Sequence, residues 1–245
     1  HWPLLQSLLH PQLPRFGELL EAQGAFWAVR DWQDGSGFDQ ILEQRRERQL
    51  VFGPGEVLLL LRQILPVLAV LHGRGVVHGD VNPRNLLRRH SDGLPVLLDF
   101  GLVQADGESP LPGATPGYAP RAQGRQEFCA AWMDLHGLGV TALVLLTGQA
   151  PESLIAVDAS DWSWPDGLDL HTAFRSALER LLSEDPQHRF AAATEVLQAL
   201  EAVPMPDSTG PIARSDRTVV LAPAAPDLPD LKPGPGVDPW GDEFI

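Results

Sequence analysis

Two short polar motifs, separated by a predicted β-hairpin, constrain the fold of this chain more than any other feature. The first motif contains His78, Asp80 and Asn85, and the second begins with Asp99, fourteen residues after Asn85. Between them an Asp-Gly turn joins two apolar runs, a pattern that predicts a hairpin over residues 86–98. Because a hairpin brings its two ends together, we expect Asn85 and Asp99 to lie side by side in one cleft.

These motifs supply the oxygen-bearing side chains that phosphoryl transfer from ATP requires. A carboxylate such as that of Asp80 can orient the hydroxyl group that attacks. The amide oxygen of Asn85 and the carboxylate of Asp99 suit Mg²⁺, a hard cation that takes oxygen ligands and keeps several waters. The alternative is that all three are ordinary solvated loop residues, but that interpretation gives no reason for this spacing beside a matching hairpin.

The chain resembles the C-terminal lobe of a Ser/Thr protein kinase, closest in type to the eukaryotic-like kinases of cyanobacteria. Besides the two motifs, three downstream segments carry the resemblance: the end of an activation segment, a buried central helix and an arginine-bearing motif, at residues 115–120, 134–148 and 185–190. Upstream, residues 10–16 and 26–32 resemble the fourth and fifth strands that lead to the kinase hinge. The similarity covers roughly residues 5–202.

The resemblance implies an α+β, protein-kinase-like fold with a mostly helical C-lobe and a partial N-lobe of two strands, the first strands being missing. Residues 1–32 are then a remnant of the N-lobe and hinge, and residues 33–202 form the C-lobe. Residues 203–245 hold nine prolines and seven acids without apolar periodicity, which predicts a disordered tail. In the central helix we expect four side chains among the most buried: Leu138, Val140, Leu143 and Leu146.

The same resemblance assigns roles around the first motif. Asp80 is the expected catalytic base, and Thr115 helps to shape the site for the substrate hydroxyl, which belongs to a serine or threonine of a protein. Ser/Thr kinases usually have a lysine two residues after the base, but Asn82 stands there in this chain. Arg84 supplies the missing cation in one interpretation and is a plain surface arginine in the other.

For ATP, the resemblance predicts a nucleotide pocket between the hinge and the hairpin. Leu87 would form the apolar floor under the adenine, and the backbone groups of Arg30 and Trp32 would meet its polar edge. Asn85 and Asp99 complete the expected cofactor-binding set through Mg²⁺.

Two further residues receive structural roles. His78 and Asp80 could bind zinc in principle, but no third ligand stands nearby in the sequence, and by resemblance His78 packs against Phe100. Asp134 opens the central helix, where a carboxylate can accept backbone N–H bonds. In the kinase family this aspartate braces the catalytic loop.

Three departures from the kinase pattern bear on activity. The glycine-rich loop and the strand with the ATP-binding lysine are not in this sequence, whose single lysine is Lys232. Gly79 replaces the arginine that usually binds a phosphorylated activation loop, so switching through that contact is not expected. The segment after Pro120 lacks the glutamate that normally pairs with Arg189, which would leave a costly unpaired guanidinium unless Glu127 replaces it.

The first departure predicts that this chain, which begins with histidine, is a fragment lacking about 70 residues of the kinase plan. A degenerate kinase is the alternative. In either case the chain alone should bind ATP poorly and transfer little. We also expect it to expose apolar surface where the missing strands would pack.

A second enzyme class shares part of the pattern. The His-Gly-Asp sequence at 78–80 also resembles the catalytic loop of aminoglycoside and choline phosphotransferases. Those enzymes lack the Thr-Pro-Gly-Tyr segment and the Asp-Leu-x-x-Leu-Gly-Val helix, and both are present here. Three functions thus stay open: an ATP-dependent Ser/Thr protein kinase, a pseudokinase scaffold and a small-molecule phosphotransferase.

Composition excludes several other classes. The net charge of −14 argues against a nucleic-acid or anionic-membrane partner. Cys129 is the only cysteine, so no disulfide framework or zinc cage is expected, and a reducing cytoplasm fits. The most apolar stretch, 57–71, is interrupted by Arg62, Gln63 and Pro66, and we expect it to be too short and too polar to span a bilayer.

Overall fold

Helices and three small antiparallel sheets build the described part of the protein. The computed structural model describes residues 2–109, 111–120, 128–155, 162, 164 and 168–205. The helices are α1 (Trp2–Ser7), α2 (Phe38–Arg46), α3 (Pro54–His72), α4 (Ala131–Thr147), α5 (Thr172–Leu182) and α6 (Ala193–Glu201), with a 3-10 helix at Pro151–Leu154. The strands are β1 (Phe16–Ala22), β2 (Ala25–Arg30), β3 (Gly35–Gly37), β4 (Val76–Val77), β5 (Leu86–Arg89), β6 (Pro95–Leu97) and β7 (Gln104–Ala105).

Helix α4 is the centre of the core. Every residue from Trp132 to Leu146 is buried, which is why its sequence is apolar on all faces. The burial predicted for Leu138, Val140, Leu143 and Leu146 is confirmed. Gly148 ends the helix in the left-handed conformation, with φ +67°, as helices commonly end. Helices α3 and α5 pack against α4, and α6 packs against both of them.

Helix α3 is held to α2 by a charged pair. Pro54 stands at its first helical position, and the Glu56 carboxylate accepts the N–H of Gly53 at 3.0 Å. The same carboxylate accepts two bonds from the Arg45 guanidinium, at 2.9 and 2.8 Å. That guanidinium lies 3.8 Å from the centre of the Phe52 ring. These contacts fix the angle at which α2 approaches the rest of the fold.

Helix α3 also corrects an expectation about membranes. Residues 57–71 were expected to be too short and too polar to span a bilayer, but the 19-residue helix is long and apolar enough by length and composition alone. Half of its most apolar window is buried inside the fold, as in the core helix of a globular domain. One such helix among the described residues is weak support for a membrane span.

The predicted hairpin is confirmed by β5 and β6, which pair Leu86 with Leu97 and Leu87 with Val96. Strand β3 adds a third strand on the other side of β5, with Gly37 opposite Leu87. The sequence did not predict a strand there, because Gly-Ser-Gly has low strand propensity. The backbone of β3 pairs with the free edge of β5, and this tertiary contact is why the segment forms a strand. The short pair formed by β4 and β7 was also missed.

Strands β1 and β2 form a separate antiparallel ribbon. The two upstream strands expected at residues 10–16 and 26–32 lie at Phe16–Ala22 and Ala25–Arg30, so the first begins where its expected segment ended. Gln23 and Gly24 at its turn have φ +54° and +76°, which matches the primed turns that suit tight hairpins. Helix α1 precedes the ribbon and ends at Ser7. It does not reach His10, which stands before a proline, a position at which the helical conformation is disfavoured.

At the other end, Val203 is still part of the packed structure. It is buried, and its carbonyl accepts a bond of 2.7 Å from Arg62. Most of the tail predicted from residue 203, residues 206–245, lies outside the described residues.

Candidate active site

A buried carboxylate organises the loop that carries the first motif. Asp134, in the first turn of α4, accepts the backbone N–H groups of His78 and Gly79, each at 2.8 Å. The Nε2 atom of His72 lies 2.8 Å from the same carboxylate. Asp134 therefore binds another segment rather than the end of its own helix, and the expected brace of the catalytic loop is confirmed. The contribution of His72 was not predicted.

The surroundings of Asp134 favour its charged form. Burial on its own would raise the pKa of this carboxyl group, but other effects outweigh it. The hydrogen bond from His72, the charges of His72 and His78 and the backbone N–H of His78 together hold the pKa of Asp134 below its usual value. The brace is therefore an ionised carboxylate at neutral pH.

Gly79 has a conformation that other residues rarely adopt. Its φ is +82°, and a Cβ atom placed on it would lie 2.9 Å from the carbonyl oxygen of Leu102. The loop thus takes a path that excludes a side chain at this position. The arginine usual in kinases would need a different backbone conformation here.

Three of the predicted site residues meet directly at Asp80. Its Oδ1 atom accepts the backbone N–H of Thr115 at 2.8 Å, and its Oδ2 atom accepts the Nδ2 of Asn85 at 2.9 Å. Each carboxylate oxygen therefore has one donor and keeps capacity for another hydrogen bond. A substrate hydroxyl that approached this half-buried group would meet an oriented acceptor.

Asn85 and Asp99 are brought together through Leu98, as the hairpin predicted. The N–H of Leu98 donates to the Asn85 carbonyl at 2.8 Å, and the Leu98 carbonyl lies 2.9 Å from Nε2 of His78. Asp99 follows in the left-handed conformation, with φ +57°. The Asp99 side chain is exposed, and its Oδ1 accepts the N–H of Gly101 at 3.2 Å.

The oxygen atoms of Asn85 and Asp99 fit the ligand preference of a magnesium ion. The Nδ2 group of Asn85 makes both of its bonds to Asp80, and within the described part of the chain the Oδ1 atom of Asn85 has no donor. The Asp99 carboxylate is exposed. The described residues contain no cluster of three or more His, Cys, Asp or Glu side chains suited to a metal. An ion that takes few protein ligands and keeps water or phosphate oxygens suits such a site.

Asn82 lies in this site, although the sequence predicted no role for it. It is only 1% exposed, and its side chain makes four hydrogen bonds. One of them joins it to the hydroxyl of Thr115 at 3.0 Å. The sequence showed only that this position lacks the usual lysine. Its place two residues after the base, in a turn that asparagine favours, was the available signal.

An aromatic series connects the loop to the β1–β2 ribbon. The rings of His78 and Phe100 lie 4.9 Å apart and nearly perpendicular, as predicted. Phe100 meets Phe16 of β1 at 5.0 Å, and Phe16 meets Trp2 of α1 at 5.5 Å, both in edge-to-face geometry. The second motif is thereby packed between the catalytic loop and the ribbon.

The residues predicted to bind the nucleotide are less closely joined. Leu87 is buried in β5, whereas Arg30 and Trp32, at and just beyond the end of β2, are exposed, Trp32 by 88%. Among the described residues, no hydrogen bond connects Arg30 or Trp32 to the Asp80 cluster. Arg84 is exposed, and its guanidinium has no hydrogen bond or ion pair in the same part of the chain. The roles of these four residues in binding ATP stay predictions.

Arg189 corrects the expectation of an unpaired buried guanidinium. It is half-buried, lies 3.9 Å from the centre of the Trp132 ring, and donates to the carbonyl of Glu184 at 3.1 Å. Burial lowers the pKa of Arg189 from its usual value. An aromatic face and a carbonyl thus take the place of the missing acid. Glu127, the replacement considered from the sequence, lies outside the described residues.

Comparison with known families agrees with this geometry. The sequence profile of the protein kinase domain matches residues 2–200, which is most of the chain. Serine/threonine-protein kinase PknA of Nostoc sp. is 32% identical over 204 residues, covering 78% of this chain and 35% of the relative. Serine/threonine-protein kinases B and C of Synechocystis sp. are 31% and 32% identical over 206 and 222 residues.

The matches cover a limited part of each relative. The alignments with kinases B and C span 78% and 85% of this chain, but 35% and 40% of those proteins. The chain therefore spans two fifths or less of the length of these three relatives.

Proposed function

The chain belongs to the protein kinase family, and we propose that its cleft transfers the γ-phosphoryl group of ATP to a Ser or Thr hydroxyl of a protein. The observation that carries this proposal is the hydrogen-bonded group of Asp80, Asn85 and Thr115 beside Asp99. It combines an oriented carboxylate with a separate pair of oxygen donors, the two parts that phosphoryl transfer needs.

Asp80 is the proposed base. Its carboxylate would accept a hydrogen bond from the substrate hydroxyl and take the proton as the oxygen attacks phosphorus. Because Thr115 and Asn85 each bind one carboxylate oxygen, the carboxylate is oriented before the substrate arrives. Orientation of this kind supplies much of the catalysis in phosphoryl transfer.

Asn85 and Asp99 are the proposed magnesium ligands, through the free Oδ1 of Asn85 and the exposed carboxylate of Asp99. Bound there, Mg²⁺ would offset the negative charge of the phosphates. Leu87 would lie under the adenine, and the backbone of Arg30 and Trp32 would bind its polar edge.

Arg84 is proposed to contact the γ-phosphate. It stands next to Asn85, is exposed, and has no competing partner in the described structure. Asn82 cannot supply a charge, so Arg84 is the nearest cation to the base in sequence. Thr115, bonded to the Asp80 loop, would line the site of the substrate hydroxyl.

The proposal includes a cytoplasmic location. Cys129 is the only cysteine, and it is buried. Burial, together with the nearby Asp134 charge, raises the pKa of the Cys129 thiol to about 11, so this residue is an unreactive thiol at neutral pH. A fold that uses no disulfide fits a reducing compartment.

The decisive test adds before residue 1 a set of N-terminal kinase strands that carry a glycine-rich loop and an ATP-binding lysine. Asp80→Ala should lower peptide phosphorylation by about 10²- to 10⁴-fold and leave Mg-ATP binding nearly unchanged. Asp99→Ala should instead weaken the binding of ATP that depends on magnesium. Transfer by Asp80→Ala at the parent rate would refute its assignment as the base.

Two other outcomes would favour the rival functions. Mg-ATP binding without any transfer by the parent protein would indicate a pseudokinase scaffold. Transfer to an aminoglycoside or to choline, with none to peptides, would indicate a small-molecule phosphotransferase. For the 245-residue chain alone, isothermal titration should show weak Mg-ATP binding, and micromolar affinity with autophosphorylation would contradict the expectation that it lacks essential groups.

A further inference from the structure

We propose that Asn82 is a positioning residue that holds Thr115, and through it the Asp80 carboxylate, in place by neutral hydrogen bonds. This inference rests on the proposed function, because the position of Asp80 matters to catalysis only if Asp80 is the base. In the sequence, Asn82 was notable only as the absence of a lysine. In the structure its side chain connects the Asp80 backbone to the Thr115 hydroxyl.

The orientation of the Asn82 amide is determined by its neighbours. Its Oδ1 atom accepts the backbone N–H groups of Arg84 and Asn85, at 2.9 and 3.2 Å. The reversed amide would set an NH₂ group against two N–H donors. With Oδ1 so placed, Nδ2 points the other way, to the Asp80 carbonyl at 3.1 Å and the Thr115 hydroxyl at 3.0 Å. Both amide hydrogens are therefore used.

Thr115 is held at two of its atoms by the same loop. Its hydroxyl accepts from Asn82, and its backbone N–H donates to Oδ1 of Asp80 at 2.8 Å. Asn82 in turn donates to the Asp80 carbonyl, which closes a ring of three residues. Because Asn82 is 1% exposed, water competes little for these bonds. Displacement of Thr115 would break both of its bonds together.

This ring needs no charge on the activation segment. Gly79 has no side chain with which to bind a phosphorylated residue, and its backbone geometry excludes one. Asn82 makes its bonds as a neutral amide, independently of any phosphate. The structure therefore indicates that the catalytic loop and Thr115 stay aligned without phosphorylation. The positive charge that a lysine at position 82 would supply then comes from Arg84.

The test is amide hydrogen exchange at residue 115 in the chain as it exists, with no nucleotide present. Thr115→Val keeps the shape of the side chain and removes the acceptor for Asn82. Loss of one such bond should raise the exchange rate about fivefold, after correction for the intrinsic rate of valine. Thr115→Ser, which keeps a hydroxyl, should exchange at nearly the parent rate.

A double-mutant cycle separates positioning from a general loss of stability. Asn82→Ala should raise exchange at residue 115, and adding Thr115→Val to it should raise the rate no further, because the contact is already gone. Thr147→Val is the matched control. It removes a hydroxyl that bonds the Leu143 carbonyl within α4, and it should leave residue 115 unchanged.

Two results would overturn the inference: exchange in Thr115→Val within twofold of the parent, or single effects that multiply in the double variant. Exchange needs no ATP, so it is independent of the proposed function. A protein with the added N-terminal strands that binds Mg-ATP but never transfers phosphate would refute the proposed function and leave the ring intact. An active kinase without this coupling would refute only the role of Asn82.

Discussion

The catalytic loop and the β1–β2 ribbon use polar and apolar residues in opposite ways. In the loop, polar side chains are buried and bonded, as Asn82, Asn85 and the bracing Asp134 show. In the ribbon, every residue of β2 is exposed. Large apolar side chains stand exposed on or beside the ribbon: Leu19, Leu20, Phe26, Trp27, Val29 and Trp32.

Within the described residues, the buried polar side chains of the loop have hydrogen-bond partners, whereas large apolar side chains of the ribbon are exposed. The loop has partners among the described residues, in Thr115 and in Asp134 of α4. The ribbon exposes large apolar side chains, and apolar surface of this kind marks places where another element or molecule binds. The buried polar residues of the loop should therefore be sensitive to substitution, whereas the exposed residues of the ribbon should tolerate it.

Removal of the Asp134 carboxylate should have the largest effect. Asp134→Ala would leave two backbone N–H groups and His72 without their acceptor in a buried site. We expect a loss of about 3–5 kcal/mol in the free energy of unfolding, measured by urea titration. A loss below about 1 kcal/mol would show that the loop does not depend on this brace, and the contrast with the ribbon would fail.

The same residue predicts a pH dependence with a definite sign. The pKa of Asp134 is lower in the folded protein, so its contribution is complete above the unfolded value of about 3.9 and is lost as pH falls through the folded value. The difference in unfolding free energy between the parent and Asp134→Asn should therefore shrink in strong acid. A difference that stayed constant from pH 7 to pH 3 would contradict the assigned charge.

Two phenylalanines of the ribbon should sharpen the comparison. Phe16 is 8% exposed between Trp2 and Phe100, whereas Phe26 is 71% exposed. Phe16→Ala should cost about 3 kcal/mol, since it removes a packed ring. Phe26→Ala should cost under about 0.5 kcal/mol, since its side chain is already exposed. Equal losses of stability would show that the ribbon is one cooperative unit with the cleft.

Two glycines with positive φ give the smallest and most closely matched test. Gly24, in the ribbon turn, has nothing within 4 Å of an added Cβ, whereas at Gly79 that atom would lie 2.9 Å from the Leu102 carbonyl oxygen. Gly24→Ala should cost about 1 kcal/mol, from its φ alone, and Gly79→Ala about 2 kcal/mol. Thermal denaturation of both variants measures the difference. Equal losses of unfolding free energy would mean that the loop changes its backbone conformation to accommodate a side chain.

The sequence predicted those parts of the fold and site that depend on local pattern. The hairpin and the buried central helix α4 follow from turn residues and apolar patterns over a few residues. The proximity of Asn85 and Asp99 followed from the hairpin between them. The edge pairing of β3, by contrast, depends on β5, some fifty residues later in the chain, and Gly-Ser-Gly alone does not indicate it.

The sequence by itself determined the family, the hairpin between the two motifs and the identity of the acid and amide groups at the site, because spacing and turn chemistry act over short distances along the chain. Only the tertiary structure decided how these groups are held. Asn82 meets Thr115, His78 meets Asp134 and Arg189 meets Trp132 across separations of 33, 56 and 57 residues. A buried polar group takes its role from the partner that folding brings to it, since leaving it unpaired costs free energy, and that partner is not written beside it in the sequence.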